Sequence, residues 1–366
     1  MEDFILETEN IAEKMLKIEA EKKELCKAIR NLQISKSVLE KENVLESNIA
    51  KLVTDSKIEN IKIAGIDGGL ISKSFHGFDL LVLRAVGVIF EYSDGKLSST
   101  KYHPKPIVEP TPKVYYEPFY ETEFETNSNI VRQNEEISRA KEVVEKFKPE
   151  IIFLHGSIVP QYTTVPGKDS LLYENFKKMI NSYVELYNAC IKNNVKLAGV
   201  VEDSRSSRFC SIIKTVIDEH KIDSTSFKNF LGKAKDSVVL NQLLGFKERS
   251  FVFGYSTAPE NHPILKLLGN HGKNINSFYV KSAEFDRPIR VDYLNTGDAI
   301  QLADDLASKL VSLSKNSMYA LPPMIVEADQ RAKLSEDDFN LLYSSLLNKL
   351  GNISGLNDLR RSNRPF

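Results

Sequence analysis

Ile61-Lys62-Ile63-Ala64-Gly65-Ile66-Asp67-Gly68-Gly69 is the stretch on which the fold turns. The run up to Ile66 is apolar and rich in β-branched residues, the pattern of a short buried strand that ends on an acid and two glycines. Downstream, residues 78–92 (FDLLVLRAVGVIFEY) are strongly apolar, and Ser93-Asp94-Gly95 supplies a turn. Residues 96–103 alternate like a returning strand. Together these pieces predict an antiparallel meander that opens a sheet. Pro104, Pro106, Pro110, Pro112 and Pro118 then stand among tyrosines and acids, so residues 104–128 read as an extended surface loop.

Beyond that loop, helix and strand alternate. Residues 130–147 have helical period, with Ile137, Ala140, Val144 and Phe147 on the apolar side. Ile151-Ile152-Phe153-Leu154 is a buried strand ending at His155-Gly156-Ser157. A helix is predicted over 171–193 and a strand over 195–201 that ends at Glu202-Asp203-Ser204-Arg205. Residues 206–250 read as helical and fairly basic. Further strands are predicted at 251–255, 276–281 and 289–293, and a helix at 296–314. Pro322-Pro323-Met324 opens the last motif, with Asp329 at the start of the last helix. Strands first, then alternating helix and strand, is a mixed-sheet α/β architecture.

Upstream of the sheet, residues 1–56 contain no Gly and no Pro. Ile11, Met15, Ile18, Leu25, Ile29, Leu32 and Leu39 recur at a 4-3 spacing. This predicts a long amphipathic helix or helical hairpin of coiled-coil character. Its seam either packs on the rest of the chain or forms a dimer or partner surface.

The 366 residues have a 42% hydrophobic fraction and carry 49 Lys+Arg against 50 Asp+Glu, a net charge of -1. That supports a sizeable core and excludes a uniformly basic nucleic-acid binder, but not a local basic groove. Cys26, Cys190 and Cys210 form no CxxC pair, so no zinc site or disulfide framework is signalled, and a reducing compartment fits. Met1-Glu2-Asp3 does not open like a signal peptide. No apolar run reaches the ~18 residues of a membrane span. A cytoplasmic location is expected.

Acidic and imidazole side chains sit where a sheet gathers them. Asp67 and His155 end strands, Asp203 follows one, and Glu136 and Asp329 lie on helices. Ligands of α/β sheets bind at the carboxyl ends of strands. Carboxylates with one imidazole suit manganese or magnesium, and such a cluster can hold two cations about 4 Å apart for in-line attack on a phosphodiester. Glu136 precedes Ala140 by four residues and so shares the buried stripe, whereas Glu135 is turned about 100° away. A buried Glu needs a partner or a cation, which favours Glu136. Each residue also has a plainer reading. Asp67 before two glycines is a turn former. His155 is a hydrogen-bonded core histidine. Asp203 caps the next helix or pairs with Arg205 or Arg208, and Asp329 is a cap. His76, His103, His220, His262 and His271 show no metal spacing, and no GxxxxGK[ST], HExxH or GxSxG is present.

Five blocks in order, IAGIDGGLIS (63–72), GVIFEY (87–92), FLHGSIVP (153–160), VVEDSRSSR (200–208) and LPPMIVEADQRAK (321–333), resemble the archaeal and bacterial NurA nucleases over roughly residues 60–340. The resemblance implies an RNase H-like mixed sheet flanked by helices. It implies a homodimeric ring around DNA, and a manganese-dependent nuclease with 5′-to-3′ exonuclease and single-strand endonuclease activities. Its partner would be the hexameric ATPase HerA, in DNA-end resection for recombinational repair. Asp67 matches the family's first catalytic Asp and Glu136 its helix Glu. Where the family has an Asp in an Asp-Gly-Ser block, this chain has His155. Where it has a His in an Ala-His block, this chain has Asp329. Leu321 stands where a Tyr is frequent. The Asp and the His are thus exchanged.

On this reading residues 1–56 form a helical arm, 57–345 the nuclease domain and 346–366 a tail. Asp67, Glu136, His155 and Asp329 are the expected catalytic and metal-binding set, with Asp67 bridging two ions and Asp203 as a further ligand. Lys and Arg clusters at 205–208, 228–235, 247–249 and 360–364 can meet phosphates. Tyr115, Tyr116, Phe119 and Tyr120 can stack on bases or pack on the core. A second reading is a catalytically degenerate ring scaffold that still binds HerA and DNA. A third is an actin-like ATPase, because Ile66-Asp67-Gly68-Gly69 resembles the first phosphate loop of that superfamily. The chain lacks a convincing second phosphate loop and adenosine loop.

Overall fold

A computed structural model describes residues 2–117, 119–162, 165–221, 225–314 and 318–351. Pro118, the basic cluster at 360–364 and the tail from 352 onward lie outside the described residues. The helices are α1 (Glu2–Arg30), α2 (Lys36–Glu42), α3 (Glu121–Phe147), α4 (Tyr173–Asn193), α5 (Arg208–Glu219), α6 (Thr225–Leu231), α7 (Asp236–Leu243), α8 (Ala299–Leu313), α9 (Pro323–Ala332) and α10 (Glu336–Leu350). The strands are β1 (Ala50–Leu52), β2 (Ile61–Ser74), β3 (Asp79–Ser93), β4 (Lys96–His103), β5 (Thr111–Tyr115), β6 (Ile151–His155), β7 (Lys196–Val201), β8 (Glu248–Ser250), β9 (Phe253–Gly254), β10 (Ile275–Val280) and β11 (Ile289–Leu294).

The chain divides into two compact units. One comprises Met1–Lys57, Val200–Ala258 and Lys273–Leu321, the other Ile58–Gly199, Pro259–Gly272 and Pro322–Phe366.

In the first unit, β10 pairs antiparallel with β11, β8 and β9, and β8 pairs with β1. Leu25 and Ile29 of α1, Ile213 and Val216 of α5, Leu240 of α7 and Phe251 share its core. The amino-terminal segment is therefore not helical throughout. Ser35 caps α2, and Asn43 in the left-handed region ends it, with its N–H bonded back to Leu39 and Glu40. The chain then runs extended into β1. The predicted seam splits as well. Leu25 and Ile29 are buried, whereas Ile11, Met15 and Ile18 stay about half exposed, at 53%, 61% and 48%. Residues 206–250 contain α5, α6 and α7, but their end is β8.

Ion pairs neutralise much of the expected basic surface of this unit. Arg249 is fully buried between Glu46, at 2.6 Å, and Asp304, at 2.6 Å. Lys247 pairs with Asp55, Lys228 with Asp218 and Arg208 with Glu42. A side chain already desolvated and paired is held away from phosphate.

The second unit is built on β2. It pairs antiparallel with β3 along its whole length, from Ile61↔Tyr92 to Ser74↔Asp79. On its other side it pairs parallel with β6, from Ile63↔Ile151 to Ile66↔Leu154. Next to β6 lies β7, and β4 borders the Gly87–Ser93 half of β3. This is the mixed sheet expected from the sequence, with helices on both faces.

The loop expected over 104–128 is instead part strand and part helix. Thr111–Tyr115 pairs with Asp79–Leu83, the half of β3 that β4 leaves open. Pro112 fits there because an edge strand has a side with no ladder bond to donate. Helix α3 begins at Glu121, and Glu121 and Glu123 in its first turn suit the positive end of the helix dipole. Tyr115 and Phe119 pack edge to face at 5.2 Å beside Phe124, so half of the aromatic group belongs to the core. Tyr116 and Tyr120 remain exposed.

Candidate active site

Asp67 does not end its strand. Gly68 and Gly69 stay in register with Ala85 and Arg84, and β2 continues to Ser74. The two glycines therefore form neither a turn nor a phosphate loop, which removes the basis of the actin-like reading. Their use is different. Alternate residues of a strand share a face, so Gly65, Asp67 and Gly69 point the same way. Helix α9 lies on that face. A Cβ on Gly65 would stand 2.5 Å from the Met324 carbonyl oxygen, and one on Gly69 only 2.0 Å from that of Ala332. Bare backbone at both positions lets the helix rest on the strand, with Asp67 between the two points of contact.

That contact delivers Asp329. It is not at a helix start: α9 begins with Pro323 in its first turn, and Asp329 lies in the following part of the helix, before Ala332. Nor is this the last helix, since α10 follows with Ser335 as its cap. His155 ends β6 one residue beyond the last registered pair, which places it beside Asp67. Its Nδ1 lies 3.2 Å from Asp67 Oδ2. The other Asp67 oxygen accepts the Gly68 N–H at 2.8 Å.

One ligand atom from each of Asp67, His155 and Asp329 lies within 4.8 Å of the others. Asp67 is buried, His155 half-buried and Asp329 exposed, so the cluster opens to solvent on the α9 side. Atoms on adjacent positions around one cation at ~2.1 Å are about 3 Å apart. The His155–Asp67 separation is of that size, and two carboxylates with an imidazole are donors that manganese accepts. Among the described residues, the chemistry and spacing of this trio fit a divalent cation.

Glu136 lies on α3 against Gly68, near enough for the Asp67 charge to act on it, and stands outside the trio. It is buried, as its place on the apolar stripe requires. Arg132, one turn earlier, donates from Nη1 to Glu136 Oε2 at 3.0 Å and to the Gly68 carbonyl at 3.3 Å. Burial pushes the Glu136 carboxyl up to about 8; Arg132 opposes this, the Asp67 charge adds to it and His155 opposes it. Glu135 turns away and pairs with Lys113 at 2.6 Å.

Asp203 belongs to the other compact unit. It is 73% exposed and pairs with Arg287 at 2.9 Å, not with Arg205 or Arg208, and Ser207 stands at the start of α5. Leu321 is buried and apolar. Arg132 is the residue of this site that the sequence reading passed over. Its signal was available: a cation four residues before a Glu on a buried helical stripe.

The NurA domain model matches residues 61–334. The chain belongs to the NurA family. Among solved structures, the NurA nuclease from Sulfolobus solfataricus is similar with a TM-score of 0.57 at 15% identity, covering 93% of this chain and 98% of that one. A NurA structure with manganese gives 0.46 at 10% identity, over 93% of this chain and 98% of its own. No curated protein matches the sequence. His155 and Asp329, which the sequence resemblance sets at its third and last motif positions, both lie in one cluster with Asp67. None of the described helices is long and apolar enough to cross a membrane.

Proposed function

We propose that the protein is a metal-dependent deoxyribonuclease. The observation that carries this reading is the convergence of Asp67, His155 and Asp329 in a member of the NurA family. These three residues hold a manganese ion, with magnesium as the alternative. Bound manganese supplies Lewis-acid charge at the phosphodiester. If two cations bind, Asp67 would be the shared ligand and Glu136, His155 and Asp329 would complete the set, while Asp203 keeps its pair with Arg287. The burial of Asp67 and Glu136 keeps their carboxylates fixed and short of water, so each acts more strongly on a cation than it would at the surface.

The expected result is degradation of linear DNA that needs manganese and stops with EDTA. Manganese should also raise the melting temperature, by the equivalent of about 2.7 kcal/mol at a hundredfold excess over Kd. Stabilisation by manganese without cleavage would select the degenerate-scaffold reading. The absence of both effects would end the metal-dependent nuclease reading and leave the degenerate scaffold.

The finer reading is a cytoplasmic homodimer with 5′-to-3′ exonuclease and single-strand endonuclease activities, docked on a HerA-type hexameric ATPase in DNA-end resection and repair. The half-exposed Ile11, Met15 and Ile18 of α1 support a partner there. A deletion to test it must spare Leu25 and Ile29, which are core residues. Removing residues 2–18 should leave the melting temperature nearly unchanged. It should either halve the mass in light scattering or abolish binding to the ATPase. If mass and binding both stay as in the full chain, α1 is not the contact.

A further inference from the structure

Arg132 is only 28% exposed, yet the hydrogen bonds it makes to protein use one nitrogen, Nη1. A guanidinium carries five N–H donors in a planar fork. Nη2 and Nε donate to no protein atom among the described residues, so much of this fork is available beside the carboxylate–imidazole cluster. A second donor without a partner stands nearby. The Tyr162 hydroxyl is buried and meets no hydrogen-bond partner. Burial pushes that hydroxyl up to about 12, with the Arg132 charge pulling it down, so it keeps its proton and remains a donor.

Tyr162 borders empty space, and Arg132 is close enough for its charge to act on the Tyr162 hydroxyl. Tyr162 and Gln133, the neighbour of Arg132 on α3, line a cavity of about 690 Å³ together with Thr126, Asn129, Gln161 and Ser170. That volume lies within the range of roughly 300–1,000 Å³ typical of small-molecule sites. Its walls mix hydroxyls and amides with the apolar Pro166 and Leu172, which suit a base and a sugar, and Glu125 adds one acid. A cation and a protonated hydroxyl, both short of acceptors, suit an anion.

We propose that Arg132 and Tyr162 grip a backbone phosphate of the bound DNA strand between the Asp67–His155–Asp329 cluster and this cavity, and that the cavity receives the adjoining nucleoside. The proposal rests on the nuclease reading for its substrate. In it, Arg132 has two tasks: one edge of the guanidinium holds Glu136 in place, and the other edge holds the phosphate.

The test is equilibrium binding of a short fluorescent oligothymidylate across a potassium chloride series. Calcium replaces manganese to arrest cleavage, and cleavage is measured separately with manganese. Arg132→Gln should weaken binding roughly tenfold and lower the salt slope by about one. Arg132→Lys should keep the slope and recover part of the affinity. Tyr162→Phe should weaken binding without changing the slope, because no charge is lost. A purely structural Arg132 would lower the melting temperature of Arg132→Gln and leave affinity and slope untouched, and that result overturns the clamp. So does wild type that fails to bind the oligonucleotide. Wild type that binds but never cleaves, with the slope change intact in Arg132→Gln, sinks the nuclease reading and keeps the clamp.

Discussion

Asp67→Asn should lower manganese-dependent DNA cleavage by about a thousandfold or more, a loss of roughly 4 kcal/mol of transition-state stabilisation. The size follows from position. Asp67 is the buried member of the trio, with His155 3.2 Å away, and its charge also acts on Glu136. No neighbouring residue can replace it, because His155 and Asp329 arrive on different elements and Asp67 is what they share. The variant keeps the shape of the side chain, so the fold is retained. Its metal-free form should melt no lower than wild type, since one of several crowded carboxylates has lost its charge. Manganese should then raise the melting temperature of wild type and not of the variant. Equal cleavage by both proteins would remove Asp67 from the site. Equal stabilisation of both by the metal would place the cation elsewhere.

Gly69→Ala should cost on the order of 3 kcal/mol or more in stability and remove activity with it. The added methyl would stand 2.0 Å from the Ala332 carbonyl oxygen, which is backbone and cannot swing aside. Either β2 or α9 must move, and Asp329 moves with α9. The comparison is Gly297→Ala, where a Cβ meets nothing within 4 Å and a near-neutral change is expected. Thermal unfolding with a cleavage assay at a temperature where both proteins are folded separates the two effects. A Gly69→Ala protein with wild-type melting and activity would show that α9 does not need that close contact.

How much of this was readable in the chain depends on the range of the interaction concerned. The strands from Ile61 to His103 were legible because their apolar runs and the Ser93-Asp94-Gly95 turn are local signals. Glu136 was preferred over Glu135 on helical period alone, and it is buried while Glu135 pairs at the surface with Lys113. The segment at 104–128 reads as a loop in sequence because β5 is stabilised by the open half of β3, a partner distant in sequence that prolines conceal. The basic clusters misled for a similar reason. Arg249 looks like a phosphate contact until Glu46 and Asp304 are found around it.

Asp67-Gly68-Gly69 is the clearest case of the division. Local pattern settled that a buried strand carries an acid, and that acids and a histidine recur near the ends of later elements in the order of the NurA motifs. Those properties depend on residues a few positions apart. Local pattern could not settle why the glycines are there, that Asp329 and His155 meet at Asp67, or that Arg132 holds Glu136 from the other face. A glycine beside an acid reads as a turn until a helix from the far end of the chain is found lying on it. Close backbone approach is a relation between two elements, and it leaves no periodicity in either.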